Sequence, residues 1–208
     1  MYRKLALLLW ASACLAQTLE VGGTIGYGAY RNASVHAPAG TATAGFTNRF
    51  AVGALYGEDL YEHVSGEIRY LYQDGDPFVS AGGQRANVQG QSHAIHYDFL
   101  FHVRKRGEKI RPYFIAGGGI KVFRITGPAP LTQPLPQIVT LTTRNEAVGL
   151  FTAGAGVKYR RSRYLVLRGD LIDYVTPFPG DIFVPAAGGT GRGIFHQFTP
   201  TFGISLIP

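Results

Sequence analysis

Eight stretches of this chain alternate apolar and polar residues with a period of two, and this repeated alternation limits the folds open to it. The stretches cover residues 19–30, 45–56, 64–73, 93–103, 111–123, 147–159, 164–175 and 195–206. Because successive side chains of a β-strand point to opposite faces, each stretch predicts a strand with one apolar and one polar face. The many glycines (28) and aromatic residues (12%) also favour strands and their bends. We therefore predict an all-β protein.

The connections between the predicted strands alternate in length. The long ones lie at about 31–44, 74–91, 126–144 and 176–193, and the short ones at about 57–63, 104–109 and 160–163. In an up-and-down barrel this alternation places every long connection at one end and every short turn at the other. Eight strands of about ten residues are also enough to close a small barrel. The pattern therefore predicts an eight-stranded antiparallel up-and-down β-barrel.

The beginning of the chain predicts an export signal. A short basic start precedes the apolar run LALLLW, and small residues follow as far as Ala16. We expect a signal peptide over 1–16 and a single barrel domain over 17–208. A second interpretation places the cleavage before Cys14, because ASAC loosely resembles a lipoprotein box. With the first cleavage the only cysteine leaves, so the mature protein is expected to have neither a disulfide nor a thiolate metal site.

The net charge of +7 does not indicate nucleic-acid binding, because an exported chain does not routinely meet nucleic acid. Phosphate-bearing lipid headgroups are more plausible anionic neighbours. After residue 17 no stretch approaches the length of about 18 apolar residues that a transmembrane helix needs. If this chain enters a membrane, we therefore expect a closed barrel to carry it there.

The polar faces of most predicted strands carry ionisable residues of both signs. They are Arg49, Glu67, Arg69, His96, Asp98, Lys121, Lys158, Arg168 and Asp170. A closed interior allows such residues to pair, and the glycines of AGGGIK and AGAGVK leave room for them. The opposite faces carry tyrosines near the strand ends, which suits a membrane interface. We therefore predict a transmembrane barrel with these nine residues in a polar lumen network; a soluble calycin-like barrel with an oily interior is the alternative.

The segment HAIHYDFLFHV at 93–103 contains three histidines and an aspartate, which raises the question of a metal site. His96 and Asp98 are about 7 Å apart along one strand face, at about 3.3 Å per residue. His102 is about 13 Å from Asp98, too far to share an ion. Since buried charges need partners in any case, we interpret His96 and Asp98 as members of the lumen network. No catalytic residue, cofactor or metal is predicted.

Two other functions remain open. One is a lipid-modifying membrane enzyme, because enzymes built on similar barrels place their catalytic groups near the outer rim, here the rim with the long connections. The candidates there are His36, His93, His196, Asp74, Asp76, Asp173 and Asp181. They form no convincing set, and no G-x-S-x-G motif is present. A narrow channel, or a carrier of small or apolar compounds, is the other alternative, because Leu55, Leu71 and Leu100 share the inward-facing positions.

Four motifs resemble the small eight-stranded outer membrane β-barrels of Gram-negative bacteria, which share the transmembrane fold of outer membrane protein A. They are RPYFIAGGGIKV (111–122), TAGAGVKY (152–159), LRGDLIDYVTP (167–177) and FTPTFGISL (198–206). The resemblance implies a location in the cell outer membrane and a non-enzymatic structural or surface-interaction role, with an extracellular ligand at the long loops. It also implies contact with outer membrane lipids, lipopolysaccharide and the barrel-assembly machinery. The chain departs from the family where it ends in Leu206, Ile207 and Pro208, because an aromatic residue is usual there.

Overall fold

The computed structural model of the protein describes residues 19–130 and 133–208, so the predicted signal peptide and both cleavage sites lie outside the described residues. These ranges form strands and connections only, and contain no helix long and apolar enough to cross a membrane. The strands are β1 Leu19–Arg31, β2 Ala33–Ala37, β3 Gly40–Phe46, β4 Arg49–Asp59, β5 Val64–Asp74, β6 Pro77–Ala81, β7 Gln84–Asn87, β8 Gly90–His102, β9 Ile110–Ile125, β10 Val139–Leu141, β11 Glu146–Arg160, β12 Leu165–Pro177, β13 Phe183–Pro185, β14 Thr190–Gly191 and β15 Ile194–Leu206.

Eight of these strands close into an antiparallel barrel. Around the ring they follow the order β1, β15, β12, β11, β9, β8, β5 and β4. The first and last strands complete the ring, with a register that runs from Val21 opposite Leu206 to Arg31 opposite His196. Closure leaves no strand edge unpaired, which is a requirement in lipid. The predicted eight-stranded up-and-down barrel is confirmed.

The apolar side chains point away from the barrel axis. Phe99, Phe151 and Phe202 are 44%, 54% and 52% exposed, whereas Arg69 and Asp170 are each 5% exposed. We call the outward-facing apolar residues the apolar belt. Its members include Ile25, Tyr27, Phe50, Val52, Ile95, Phe99, Phe114, Ile120, Phe151, Leu171, Phe198 and Phe202. An oily exterior around a charged interior suits lipid, and the reverse arrangement of a soluble calycin-like barrel is wrong for this chain.

The predicted second strand is wrong at its beginning. The sequence pattern runs from residue 45, but the barrel strand β4 begins at Arg49, and Phe46 belongs to the separate strand β3. Thr47 and Asn48 interrupt the strand through side-chain hydrogen bonds. The hydroxyl of Thr47 accepts from the backbone N–H of Asp76 at 2.7 Å, and the amide oxygen of Asn48 accepts from that of Tyr30 at 2.8 Å. Such bonds compete with the ladder and turn the chain.

The four long connections fold into a structure of their own, which we call the cap. It comprises residues 32–48, 75–89, 126–130, 133–145 and 178–193. Within it β14, β2, β3, β6 and β7 form a five-stranded sheet, and β10 pairs with β13. The cap has its own apolar core, which includes Val35, Ala44, Val79, Val139 and Phe183. The alternation pattern predicted these segments only as connections, so the cap strands were not expected from the sequence.

An aromatic cluster lies where the cap meets the barrel, and we call it the aromatic seal. It consists of Phe46, Phe123, Phe183 and Phe195. The rings of Phe46 and Phe123 stack with centroids 4.7 Å apart, and Phe183 and Phe195 meet Phe46 edge-on at 5.5 and 5.9 Å. Phe123 and Phe195 belong to barrel strands, whereas Phe46 and Phe183 belong to the cap. The seal therefore covers the barrel end that carries the long connections, which we call the cap end.

Candidate functional site in the barrel interior

Glu67 is the centre of the charged interior. Its side chain is buried and meets three cations, with Lys158 Nζ 2.7 Å from Oε1, Arg69 Nη2 2.8 Å from Oε2 and Arg168 Nη2 3.0 Å from Oε2. Arg168 also donates from Nη1 to Oε1 at 3.0 Å, so this pair is bidentate. A buried carboxylate needs such partners because it has lost its hydration. These contacts tie β5 to β11 and β12 across the lumen.

Asp170 is a second centre that shares the same arginines. Its Oδ2 lies 3.1 Å from Arg69 Nη1 and 3.2 Å from Arg168 Nε, and its Oδ1 accepts from the hydroxyl of Tyr113. Glu20 adds a contact from β1, with Oε2 2.7 Å from Lys158 Nζ. We call this connected set the ionic core. Its members are Glu20, Glu67, Arg69, Asp98, Tyr113, Lys158, Arg168 and Asp170.

The histidine and aspartate that suggested a metal site belong to the same network. His96 Nδ1 lies 2.9 Å from Asp98 Oδ1, and the hydroxyl of Thr152 donates to the same oxygen at 2.6 Å. Arg69 Nε lies 3.3 Å from the other oxygen of Asp98. In residues 19–130 and 133–208, no three or more His, Cys, Asp or Glu side chains group in a way that could hold a metal ion. Asp98 is therefore contacted by neighbours on three strands, through an ion pair with Arg69 of β5 and hydrogen bonds with His96 of β8 and Thr152 of β11.

Glycines make space for the ionic core. A Cβ atom at Gly117 would overlap the carboxylate of Asp98, and one at Gly156 would overlap the carboxylate of Asp170. Both glycines lie on inward positions of β9 and β11, within the motifs AGGGIK and AGAGVK. A barrel of eight strands has little internal volume, so side chains that cross it need such gaps.

Lys121 lies apart from the ionic core, just below the aromatic seal. Its ammonium donates to the hydroxyl of Tyr30 at 3.0 Å and to the amide oxygen of Gln197. It also lies 4.9 Å from the ring centroid of Phe123. Within the part of the chain that the structure describes, no carboxylate lies within ion-pair distance of it. Lys121 is therefore buried with dipoles and aromatic faces as its neighbours.

The predicted lumen position of Arg49 is wrong. Its side chain is 45% exposed and pairs with Asp74 at 2.9 Å and Asp76 at 2.6 Å. Arg49 has the inward parity of β4, but it is the first residue of that strand and so lies at the rim of the cap end. At the same end, the carboxylate of Glu146 accepts a hydrogen bond from the backbone N–H of Asp181 at 2.8 Å.

Sequence reasoning missed Glu20 and Tyr113. Both have inward parity, because Glu20 alternates with the outward residue Val21, and Tyr113 with Phe114. The alternation would have identified Glu20 and Tyr113 as interior residues if acidic and aromatic residues near the strand ends had been assigned to the polar face.

The rim candidates for catalysis are mostly scattered. His36 contacts Thr41 and His93 contacts Tyr70, whereas His196 and Asp173 form a pair on the outer wall with Nδ1 and Oδ2 2.7 Å apart.

Two cavities show how tightly the interior is filled. In the middle of the barrel, a space of about 10 Å³ remains between Leu55, Leu71 and Tyr174. At the opposite end from the cap, the turn end, a pocket of about 380 Å³ opens between the short turns, and Asp59 and Arg111 are among its lining residues. The predicted inward leucines thus pack against neighbours, and the mid-barrel space is about the minimum that one water needs.

The fold of this chain has counterparts among solved structures. No family profile matches the sequence, and no curated protein matches it. Neisserial surface protein A superposes with a TM-score of 0.54 at 8% identity, covering 91% of this chain and 97% of that one. The chain has the fold of the small outer membrane β-barrels. Looser likenesses are the N-terminal β-barrel domain of Pseudomonas aeruginosa OprF (TM-score 0.46, 16% identity, 89% and 96% covered) and Ail of Yersinia pestis (0.45, 10%, 91% and 98%).

Proposed function

We propose that this protein is a non-enzymatic component of the cell outer membrane, with a structural or surface-interaction role and a lumen closed to solutes. The observation that carries the proposal is the filled interior. The ionic core links β1, β5, β11 and β12 across the lumen, and the aromatic seal covers the cap end. A barrel that is blocked in this way offers its outer wall and its cap as surfaces for interaction.

The proposed location follows from the outer wall. A closed ring with an apolar belt fits a bilayer, and barrels of this type place their long connections outside the cell. The cap would then face the exterior, where an extracellular ligand could contact it. Outer membrane lipids, including lipopolysaccharide, would surround the belt, and the barrel-assembly machinery would insert the chain. Nucleic acid has no place among these partners.

Cell fractionation and gel mobility test the location. We expect the protein in the outer membrane fraction, and a folded form whose mobility on a gel changes after heating, because a closed barrel resists detergent until it is boiled. Recovery in the soluble periplasmic fraction, without a mobility shift, would reject the proposal.

Conductance in planar bilayers tests the closed lumen. We expect no steady current from the wild-type protein, because the mid-barrel space is only about 10 Å³. The variant Glu67→Ala/Arg168→Ala removes the bidentate pair and should admit ions, whereas Arg163→Ala in a short turn should not. A wild-type current would favour the alternative of a narrow channel.

One observation favours testing the lipid-modifying enzyme as a second candidate. His196 and Asp173 are paired at 2.7 Å on the outer wall near the cap end, the level at which the proposed location would place lipid headgroups. Catalysis would also need a nucleophile, and no serine is bonded to this pair in the described residues. We expect the His196→Ala and Asp173→Ala variants to leave the acylation of outer membrane lipid unchanged. A change that accompanies both variants would support the enzyme.

A further inference from the structure

The outer wall has an apolar recess where β1 lies between β4 and β15. Its volume is about 690 Å³. The side chains around it are Ile25, Tyr27, Phe50, Val52, Pro200 and Phe202. All six belong to the outward-facing positions of their strands, so the recess opens toward the lipid rather than into the lumen. It is a place where an acyl chain can lie against the protein.

Pro200 explains why the wall is indented here. Proline has no N–H to donate, so it interrupts a sheet ladder. The register of β1 with β15 has paired residues at Gly26 with Thr201 and at Ala29 with Phe198, and none between them. The backbone of Gly26 and Ala51, whose side chains are absent or small, forms the floor of the recess. The outer wall is therefore indented along the junction of β1 with β4 and β15, which we call the seam, and the aromatic rings beside the seam project further outward.

A polar pocket of about 350 Å³ lies on the cap side of the recess. Arg31, His36, Arg192 and His196 are among its lining residues, together with Asn32 and Ser34. Arg31 is on the outward face of β1, four residues beyond Tyr27, which corresponds to about 13 Å along the strand. It also lies directly opposite His196 in the β1–β15 ladder. The two features thus lie one above the other along the same pair of strands.

The pocket is cationic. Its described lining contains two arginines and no carboxylate. Neither Arg31 nor Arg192 has a carboxylate within ion-pair distance in the described part of the chain. The nearby Asp173 is paired with His196, whose ring also stacks on Phe198 at 6.1 Å. The guanidinium groups are therefore available to an anion, and their planar donor geometry matches phosphate.

We propose that this seam is a binding site for a phosphorylated acyl lipid of the leaflet at the cap end. The phosphate contacts Arg31 and Arg192, and an acyl chain occupies the recess beside Tyr27, Val52 and Pro200. The spacing of the two features along β1 matches a lipid whose headgroup lies above its chain. This site rests on the proposed membrane location, and it identifies one lipid position among the many around the belt.

The test measures lipid binding to the folded protein in uncharged detergent micelles. The probes are dioleoyl phosphatidic acid, uncharged dioleoylglycerol and inorganic phosphate. We expect phosphatidic acid to bind best, and the Arg31→Gln/Arg192→Gln variant to bind it about tenfold or more weakly, since charge-assisted hydrogen bonds are lost. The control is Arg124→Gln, an exposed arginine at the cap end of β9, four strands away around the ring. Its affinity should change less than twofold.

A second pair of variants tests the recess. Val52→Trp fills it, whereas Ile120→Trp places the same ring on the outward face of β9. We expect only the first to weaken phosphatidic acid binding. Equal losses in the seam variants and their controls would overturn the proposal, and so would inorganic phosphate binding as tightly as the lipid. Because binding is measured in micelles, a protein found outside the outer membrane would refute the proposed location and leave this result standing.

Discussion

The barrel interior and the cap core bury opposite kinds of side chain. The interior is filled by ionised side chains such as Glu67, Arg168 and Asp170, whereas the cap core consists of apolar residues such as Val79, Val139 and Phe183. The reason lies in the backbone. A closed ring satisfies its own hydrogen bonds and leaves no edges, so its side chains need only fill the space. The cap sheets are open, and they depend on apolar burial to hold together.

The contrast also concerns where apolar residues are available. In the barrel, the outward positions take the apolar residues because they face lipid, and the inward positions are left to polar ones. In the cap, the apolar residues turn inward and form a core, as in an ordinary soluble domain. The barrel, stabilised by interior ion pairs, and the cap, stabilised by apolar burial, thus contact each other at the aromatic seal. Mutations in one region should therefore destabilise that region more than the other.

The largest expected effect comes from breaking the ionic core. Glu67→Ala leaves Arg69, Lys158 and Arg168 without their shared carboxylate, and should lower the free energy of unfolding by about 3–5 kcal/mol. Urea unfolding in detergent micelles, followed by far-ultraviolet circular dichroism, measures this. Glu108→Ala, in an exposed short turn, should stay within about 0.5 kcal/mol. Similar values for both variants would mean that the charges in the interior do not support the barrel.

The next effect should be confined to the cap. Phe183→Ala removes a ring from the aromatic seal and should destabilise the cap by about 3 kcal/mol, because a cavity remains. Limited proteolysis should then cut the cap while the barrel keeps its heat-dependent gel mobility. Val184→Ala, at the more exposed neighbouring position, should leave the cap resistant. If the barrel mobility were lost with Phe183→Ala, the two regions would not be separate units of stability.

A smaller effect of opposite sign is expected at the boundary. Lys121→Met keeps the length of the side chain and removes a buried ammonium that lacks a carboxylate, so we expect a gain of about 1 kcal/mol. Lys158→Met provides the contrast, since it deprives Glu20 and Glu67 of a partner and should destabilise the protein. Both can be measured by urea unfolding. Loss of stability in Lys121→Met would show that the dipoles of Tyr30 and Gln197 outweigh the cost of burial.

The smallest effect is expected at the rim. Arg49→Gln breaks the half-exposed pairs with Asp74 and Asp76 and should cost about 0.5 kcal/mol, because solvent screens them. The loss should shrink further at high salt. Arg144→Gln, an exposed arginine of the cap, should show no such salt dependence. A large loss of unfolding free energy that does not depend on salt would mean that Arg49 stabilises the protein as strongly as the residues of the ionic core do.

Much of the barrel could be predicted from the sequence because its alternation has a fixed period and a fixed meaning. Inward residues such as Arg69 and Asp170 followed from parity alone. The cap could not be predicted in this way, because its short strands pair across distant connections, as β3 does with β6. The position at which β4 begins, at the cap end of the barrel, could not be predicted either. Parity assigned Arg49 to the interior, but the turn at Thr47 and Asn48 depends on bonds to Asp76 and Tyr30, which only the folded chain brings near.

The pairing of β1 with β15 has a consequence for how the protein is made. Ring closure pairs the first barrel strand with the last, so Ile194–Leu206 must be synthesised before the barrel can close. Until then β1 and β12 each have an edge of unpaired backbone groups, and each unpaired group costs several kcal/mol in hydrocarbon. A chain that lacks this final segment would therefore be an open sheet with two unpaired edges, which hydrocarbon does not tolerate.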